Sequence, residues 1–112
     1  MSRRRAKANE LTTIFWRDIP AQVTASASGR SHKALLPPRF QHAIDRAATV
    51  AGLTETEAYI AEWRRQSEPL EPDVDGDVAA RERASGLEAR YDEDRLNTLV
   101  AAGGLDHAKS KT

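Results

Sequence analysis

The sequence predicts an α+β domain: a two- or three-stranded antiparallel sheet packed by two helices and followed by a third, acidic C-terminal helix. Three observations predict it. Residues 11–16 read Leu-Thr-Thr-Ile-Phe-Trp, dense in β-branched and aromatic residues, and residues 22–28 then alternate polar and small apolar side chains with a period of two. From Pro37-Pro38 onward the apolar positions shift to helical spacing. Beyond a proline- and acid-rich stretch, a last set of apolar positions supports further helix.

The first strand ends at Ile19-Pro20, where proline withdraws a backbone donor. In the second, Val23, Ala25 and Ala27 share one face, while Gln22, Thr24, Ser26 and Ser28 share the other. The turn Ser28-Gly29-Arg30-Ser31 allows His32 to Leu36 to return as a third strand, giving a meander over residues 11–36. Pro37-Pro38 then opens a helix, because proline in the first turn forfeits no intrahelical hydrogen bond. Its apolar stripe is Phe40, Ala43, Ile44, Ala47 and Ala51, and Gly52 stands where a C-terminal cap belongs.

Thr54-Glu55-Thr56-Glu57 has the form of a capping box, which predicts a second helix from Thr54 to about Ser67 carrying Tyr59, Ile60 and Trp63 inward. Pro69 and Pro72 break it, and a third helical region follows, interrupted around Gly86 or at Asp92 and ended by Gly103-Gly104. The resulting boundaries are a disordered basic tail over residues 1–10, an α+β core over 11–67, a linker over 68–76, a helical region over 77–103 and a disordered tail over 104–112.

Of the 112 residues, 39% are hydrophobic and 30% charged, which leaves room for one small core. Cysteine is absent, which excludes disulfides, thiolate metal sites and a cysteine nucleophile and fits a reducing compartment. No stretch approaches the ~18 apolar residues of a membrane span, and no apolar region follows the basic start, so a cytoplasmic location is expected. The net charge of zero is a cancellation between segments: residues 1–9 carry four basic and no acidic residues, whereas residues 68–94 carry ten acidic and three basic. The basic arm Arg3, Arg4, Arg5 and Lys7 would attract nucleic acid only weakly.

The three histidines, His32, His42 and His107, fall on a strand, a helix and a tail with no metal-ligand spacing. Asp73-Val-Asp75-Gly-Asp77 resembles the start of a calcium loop, but its glycine stands at the fourth position rather than the sixth, and position twelve is Ala84. Neither a G-x-S-x-G elbow nor a phosphate-binding glycine loop is present. A chain this short is also expected to lack a ligand pocket of several hundred Å³ unless a partner completes it. The expectation is therefore no catalytic residue, no cofactor and no metal. The candidate binding residues are Trp16, Arg17 and Asp18 at the end of the first strand and Glu62, Trp63 and Arg65 at the end of the second helix. Tryptophan and arginine are the types that most often carry interface energy, and Glu62 is placed to pair with Arg65 or Arg17. The bland alternative is that Trp16 packs under the helices while the arginines serve the rim and the helix dipole.

The string Trp16-Arg17-Asp18-Ile19-Pro20-Ala21-Gln22-Val23, with Leu36-Pro-Pro-Arg-Phe40, Ala43-Ile-Asp45 and Ala61-Glu-Trp-Arg-Arg65, resembles the small bacterial domain family labelled virulence factor, over roughly residues 11–101. Stand-alone members of that family are similar to proteins met beside folate- and corrinoid-dependent one-carbon enzymes. The resemblance transfers no catalytic residue. It implies a non-catalytic accessory or adaptor protein that binds a cytoplasmic protein partner, with an enzyme of one-carbon metabolism as the partner class. Two alternatives stand beside it. One is a nucleic-acid-associated module using the basic arm, which the acidic C-terminal third disfavours. The other is a small subunit of an enzyme complex.

Overall fold

Four strands and four helices follow one another as β1 (Glu10–Trp16), β2 (Ile19–Ala27), β3 (Arg30–Leu35), α1 (Pro38–Ala51), α2 (Thr56–Ala61), β4 (Trp63–Pro69), α3 (Gly76–Arg90) and α4 (Glu93–Ala101). The computed structural model describes residues 9–106; the basic arm Arg3, Arg4, Arg5 and Lys7, and His107, lie outside the described residues. The sheet is antiparallel throughout with the order β3-β2-β1-β4, so the α+β class holds with a sheet one or two strands larger than the sequence suggests.

The extra strand is the main correction. Residues 63–67, expected to finish the second helix, and residues 68–69, expected to open the linker, form β4 and pair with β1 from Trp16↔Trp63 to Glu10↔Pro69. The second helix shrinks to the six residues of α2 and starts after Glu55, with no side-chain cap, so the Thr54 capping box does not form. The first meander forms as the pattern indicates except at its first corner, where β1 ends at Trp16, Arg17 and Asp18 turn, and Ile19-Pro20, expected to close the first strand, opens β2. Ser28 and Gly29, with φ of 54° and 76°, make the two-residue reversal between β2 and β3, and positive φ at both positions matches the hairpin turn that follows strand twist.

α1 begins with Pro38 and ends at Gly52, whose φ of 73° is the left-handed C-terminal cap. Its Phe40, Ala43, Ile44 and Ala47 are buried as the stripe predicts. The third helical region is two helices. α3 starts at Asp75, whose side chain accepts from the Asp77 and Val78 amides, and the break falls at Tyr91-Asp92, leaving Gly86 inside α3. Asp75, considered as part of a calcium loop, is thus a helix cap.

α3 crosses one face of the sheet so closely that a Cβ on Gly76 would lie 2.9 Å from the Ala27 Cβ. Ala80, Ala84 and Leu87 of α3 and Leu96, Leu99 and Val100 of α4 join Trp16, Ile19, Val23, Phe40 and Ile44 in one core. Each large side chain enclosed there contributes roughly 1.5–3 kcal/mol. The C-terminal helices therefore join the core, α3 docking on the sheet and α4 on α1. The segment 104–106, assigned to a disordered tail, is tied in: the Gly104 amide donates to Leu99, and the Asp106 amide donates to Asp18 Oδ2 at 2.7 Å.

Candidate functional site

Residues directly opposite in an antiparallel sheet share a face, so the register sorts the polar side chains. Leu35, Gln22, Ile14 and Arg65 form a row across all four strands, and Lys33, Thr24, Thr12 and Ser67 form the next. These rows lie on the face opposite α3. There Leu35 is 68% exposed, and Lys33, Arg65 and Ser67 are exposed as well. Thr12 and Ser67 share a hydroxyl hydrogen bond of 2.8 Å across the β1–β4 pair. At one end of this face Ile14, Ala21, Leu35, Leu36 and Trp63 line a largely apolar groove of about 390 Å³ rimmed by Gln22 and Gln41.

The structure brings Trp16, Arg17, Asp18, Glu62 and Trp63 together at the β1–β2 turn. Trp16 is fully buried, its Nε1 donates to the Tyr59 carbonyl at 2.8 Å, and its ring stacks on Tyr59 with centroids 5.6 Å apart. Arg17 adopts a φ of 54°, a conformation that costs a non-glycine residue free energy. Its surroundings hold it there: Nε donates to Glu62 Oε1 at 3.0 Å, Nη1 to the Gly103 carbonyl at 3.1 Å, and its own carbonyl accepts from Arg64 Nε at 3.0 Å. Asp18 binds Arg64 Nη2 at 3.0 Å, and Arg64 lies over the Phe15 ring at 4.5 Å. Arg17, Asp18 and Glu62 are thus spent on internal contacts that lock the turn to β4 and to the C-terminal turn.

Trp63 and Arg65 stand apart from that lock. Trp63 is half-buried, edge-on to Tyr59 with centroids 5.9 Å apart, and lines the apolar groove. Arg65 is exposed, two residues further along β4 on the same face, across from Ile14. Sequence reasoning missed Ile14 and Leu35 as its neighbours, since only the register of a strand read as helix places them in one row. It also missed Arg64, whose alternation with Arg65 sends it to the α3 side.

A second concavity lies on the α3 side and is larger than chain length leads one to expect. The cleft, of about 460 Å³, has Thr13, Phe15, Arg64 and Gln66 of the sheet on one side and Arg83, Leu87, Arg90 and Tyr91 at the end of α3 on the other. Among the described residues no group of three His, Asp or Glu is placed to hold a metal ion, and no helix is long and apolar enough to cross a membrane.

Residues 14–100, most of the chain, match the family model described as Virulence factor. The chain belongs to that family. The match runs from within β1 into the last turn of α4 and so takes in β2 to α3 entire. Comparison with curated proteins and with solved structures finds no match to either.

Proposed function

We propose that this virulence factor domain is a non-catalytic accessory protein that binds a protein partner through the sheet face opposite α3. The observation that carries the reading is the groove of Ile14, Leu35 and Trp63 beside Arg65, where an exposed leucine and a half-buried tryptophan lie next to a guanidinium with no ion pair among the described residues. Apolar side chains of this size in a concave, polar-rimmed site are what a partner's anchor residue fills, and tryptophan with arginine supplies area and donors together. The hydroxyls of Thr24 and Ser67 continue the surface with hydrogen-bonding groups. Of the six candidate residues, Trp63 and Arg65 belong to this contact, and Trp16, Arg17, Asp18 and Glu62 hold the scaffold behind it. The family resemblance directs the search for that partner to folate- and corrinoid-dependent one-carbon enzymes.

The test is affinity purification of the tagged protein beside its Leu35→Asp and Arg65→Ala variants, with circular dichroism to show that each variant is folded. A partner retained by the wild type and lost by both variants supports the surface. Equal retention by all three overturns it. If the retained protein is no one-carbon enzyme, the surface stands and the partner class falls.

A further inference from the structure

We propose that the cleft between β4 and the C-terminal end of α3 is a second, separate site that binds a small organic anion with a flat apolar body. Arg83, Leu87 and Arg90 stand at i, i+4 and i+7, so α3 presents two guanidinium groups flanking an aliphatic side chain along one wall. Phe15 and Tyr91 add aromatic rings, each faced on one side by a guanidinium, Arg64 at 4.5 Å and Arg95 at 4.6 Å, and a volume of about 460 Å³ suits a ligand of one or two rings. Thr13 forms part of the floor, is 3% exposed, and its Oγ1 has no hydrogen-bond partner.

The pairing of the charges, rather than their sum, favours an anion. Three carboxylates touch the cleft, and each already faces an arginine: Asp18 meets Arg64 at 3.0 Å, Glu68 meets Arg83 at 2.6 Å and Asp106 meets Arg95 at 3.0 Å. The three arginines and three carboxylates of the lining cancel in sum, but Arg90 has no ion pair among the described residues, so one guanidinium of the wall is open to a ligand's anionic group. The negative end of the α3 dipole would oppose a bound anion, but Arg39 Nη2 donates to the Glu88 carbonyl at 2.9 Å and to the Tyr91 carbonyl at 3.3 Å and offsets it. Arg83 meets Glu68 through Nη2, and the rest of its guanidinium fork can share an anionic head group with Arg90.

The experiment is an amide-resonance titration of the full chain with 2-naphthoate and, separately, with its neutral analogue 2-naphthamide. Naphthoate should shift the resonances of Phe15, Leu87 and Tyr91 and bind about fivefold more tightly than naphthamide, the gain expected of one partly exposed ion pair. Arg90→Gln, an exposed position that the fold does not need, should remove that difference, and added salt should do the same. Equal affinity for the two compounds overturns the proposal. So does an Arg90→Gln variant that keeps the preference, or shifts confined to Ile14, Leu35 and Trp63. The last result would place the ring in the groove of the opposite face, and the partner reading for that groove is tested separately by its own variants.

Discussion

Arg17 and Glu62 hold each other twice: the Arg17 amide donates to the Glu62 carbonyl at 3.0 Å, and Arg17 Nε donates to Glu62 Oε1 at the same distance. Because Arg17 sits at positive φ, its bonds do two things at once. They join β1 to β4, and they keep a side-chain-bearing residue in a conformation that glycine would adopt freely.

Arg17→Ala should therefore cost about 2 kcal/mol, since partly buried charged hydrogen bonds are lost while the strain remains. In thermal unfolding that is a fall of roughly 10 °C. Arg17→Gly loses the same bonds but relieves ~1 kcal/mol of backbone strain, so it should be the milder change. Arg65→Ala should stay within about 0.5 kcal/mol of wild type. Equal melting temperatures for Arg17→Ala and Arg65→Ala would show that the double contact does not hold the turn.

Two glycines of α3 should respond in opposite directions to the same substitution. A Cβ on Gly76 would stand 2.9 Å from both the Ala27 Cβ and the His32 Cδ2, so Gly76→Ala must push α3 off the sheet at a cost of ~1–3 kcal/mol. A Cβ on Gly86 meets nothing within 4 Å, and Gly86→Ala should stabilise by about 0.5–1 kcal/mol through helix propensity. Denaturant midpoints of the two variants check both signs.

Helix starts make a second pair. Asp75→Ala removes the acceptor for two α3 amides and should lose about 1 kcal/mol, whereas Thr54→Ala, outside α2 and capping nothing, should be close to neutral. A Thr54→Ala loss as large as that of Asp75→Ala would restore the longer second helix.

The two tryptophans should separate in acrylamide quenching. Trp16 is fully buried, so Trp63→Phe should leave a blue-shifted, poorly quenched emission. Trp16→Phe should leave the half-buried Trp63, quenched readily, and should also destabilise by ~1–3 kcal/mol because the Tyr59 carbonyl loses its indole donor and keeps only the longer bond from the Glu62 amide. Indistinguishable quenching of the two variants would contradict the burial of Trp16.

The meander and α1 were legible because their signals are local. Val23, Ala25 and Ala27 alternate into the core, and Pro38 and Gly52 bracket α1. β4 was not legible, because Arg65 to Pro69 are exposed and offer no hydrophobic period. An edge strand of that kind is specified by the backbone groups of β1 and by the anchor at Trp63, neither of which a sequence window registers. The error carried into the site. Reading residues 63–65 as helix puts Trp63, Arg64 and Arg65 on one turn, whereas a strand sends Arg64 to the α3 cleft and leaves Trp63 and Arg65 on the other face. The Arg17–Glu62 pairing, by contrast, was within reach from charge alone, since it joins the ends of two adjacent elements.

The order β3-β2-β1-β4 also sets a timetable for the chain as it is made. β1 leaves the ribosome first and gains β2 at once through a two-residue turn, yet its other edge stays bare until Pro69 has emerged. Trp16 waits longer still, since Gly104, against which its ring packs, is among the last residues described. Until then the growing chain carries an unpaired strand edge and an uncovered indole, the features that invite association with other unfinished chains.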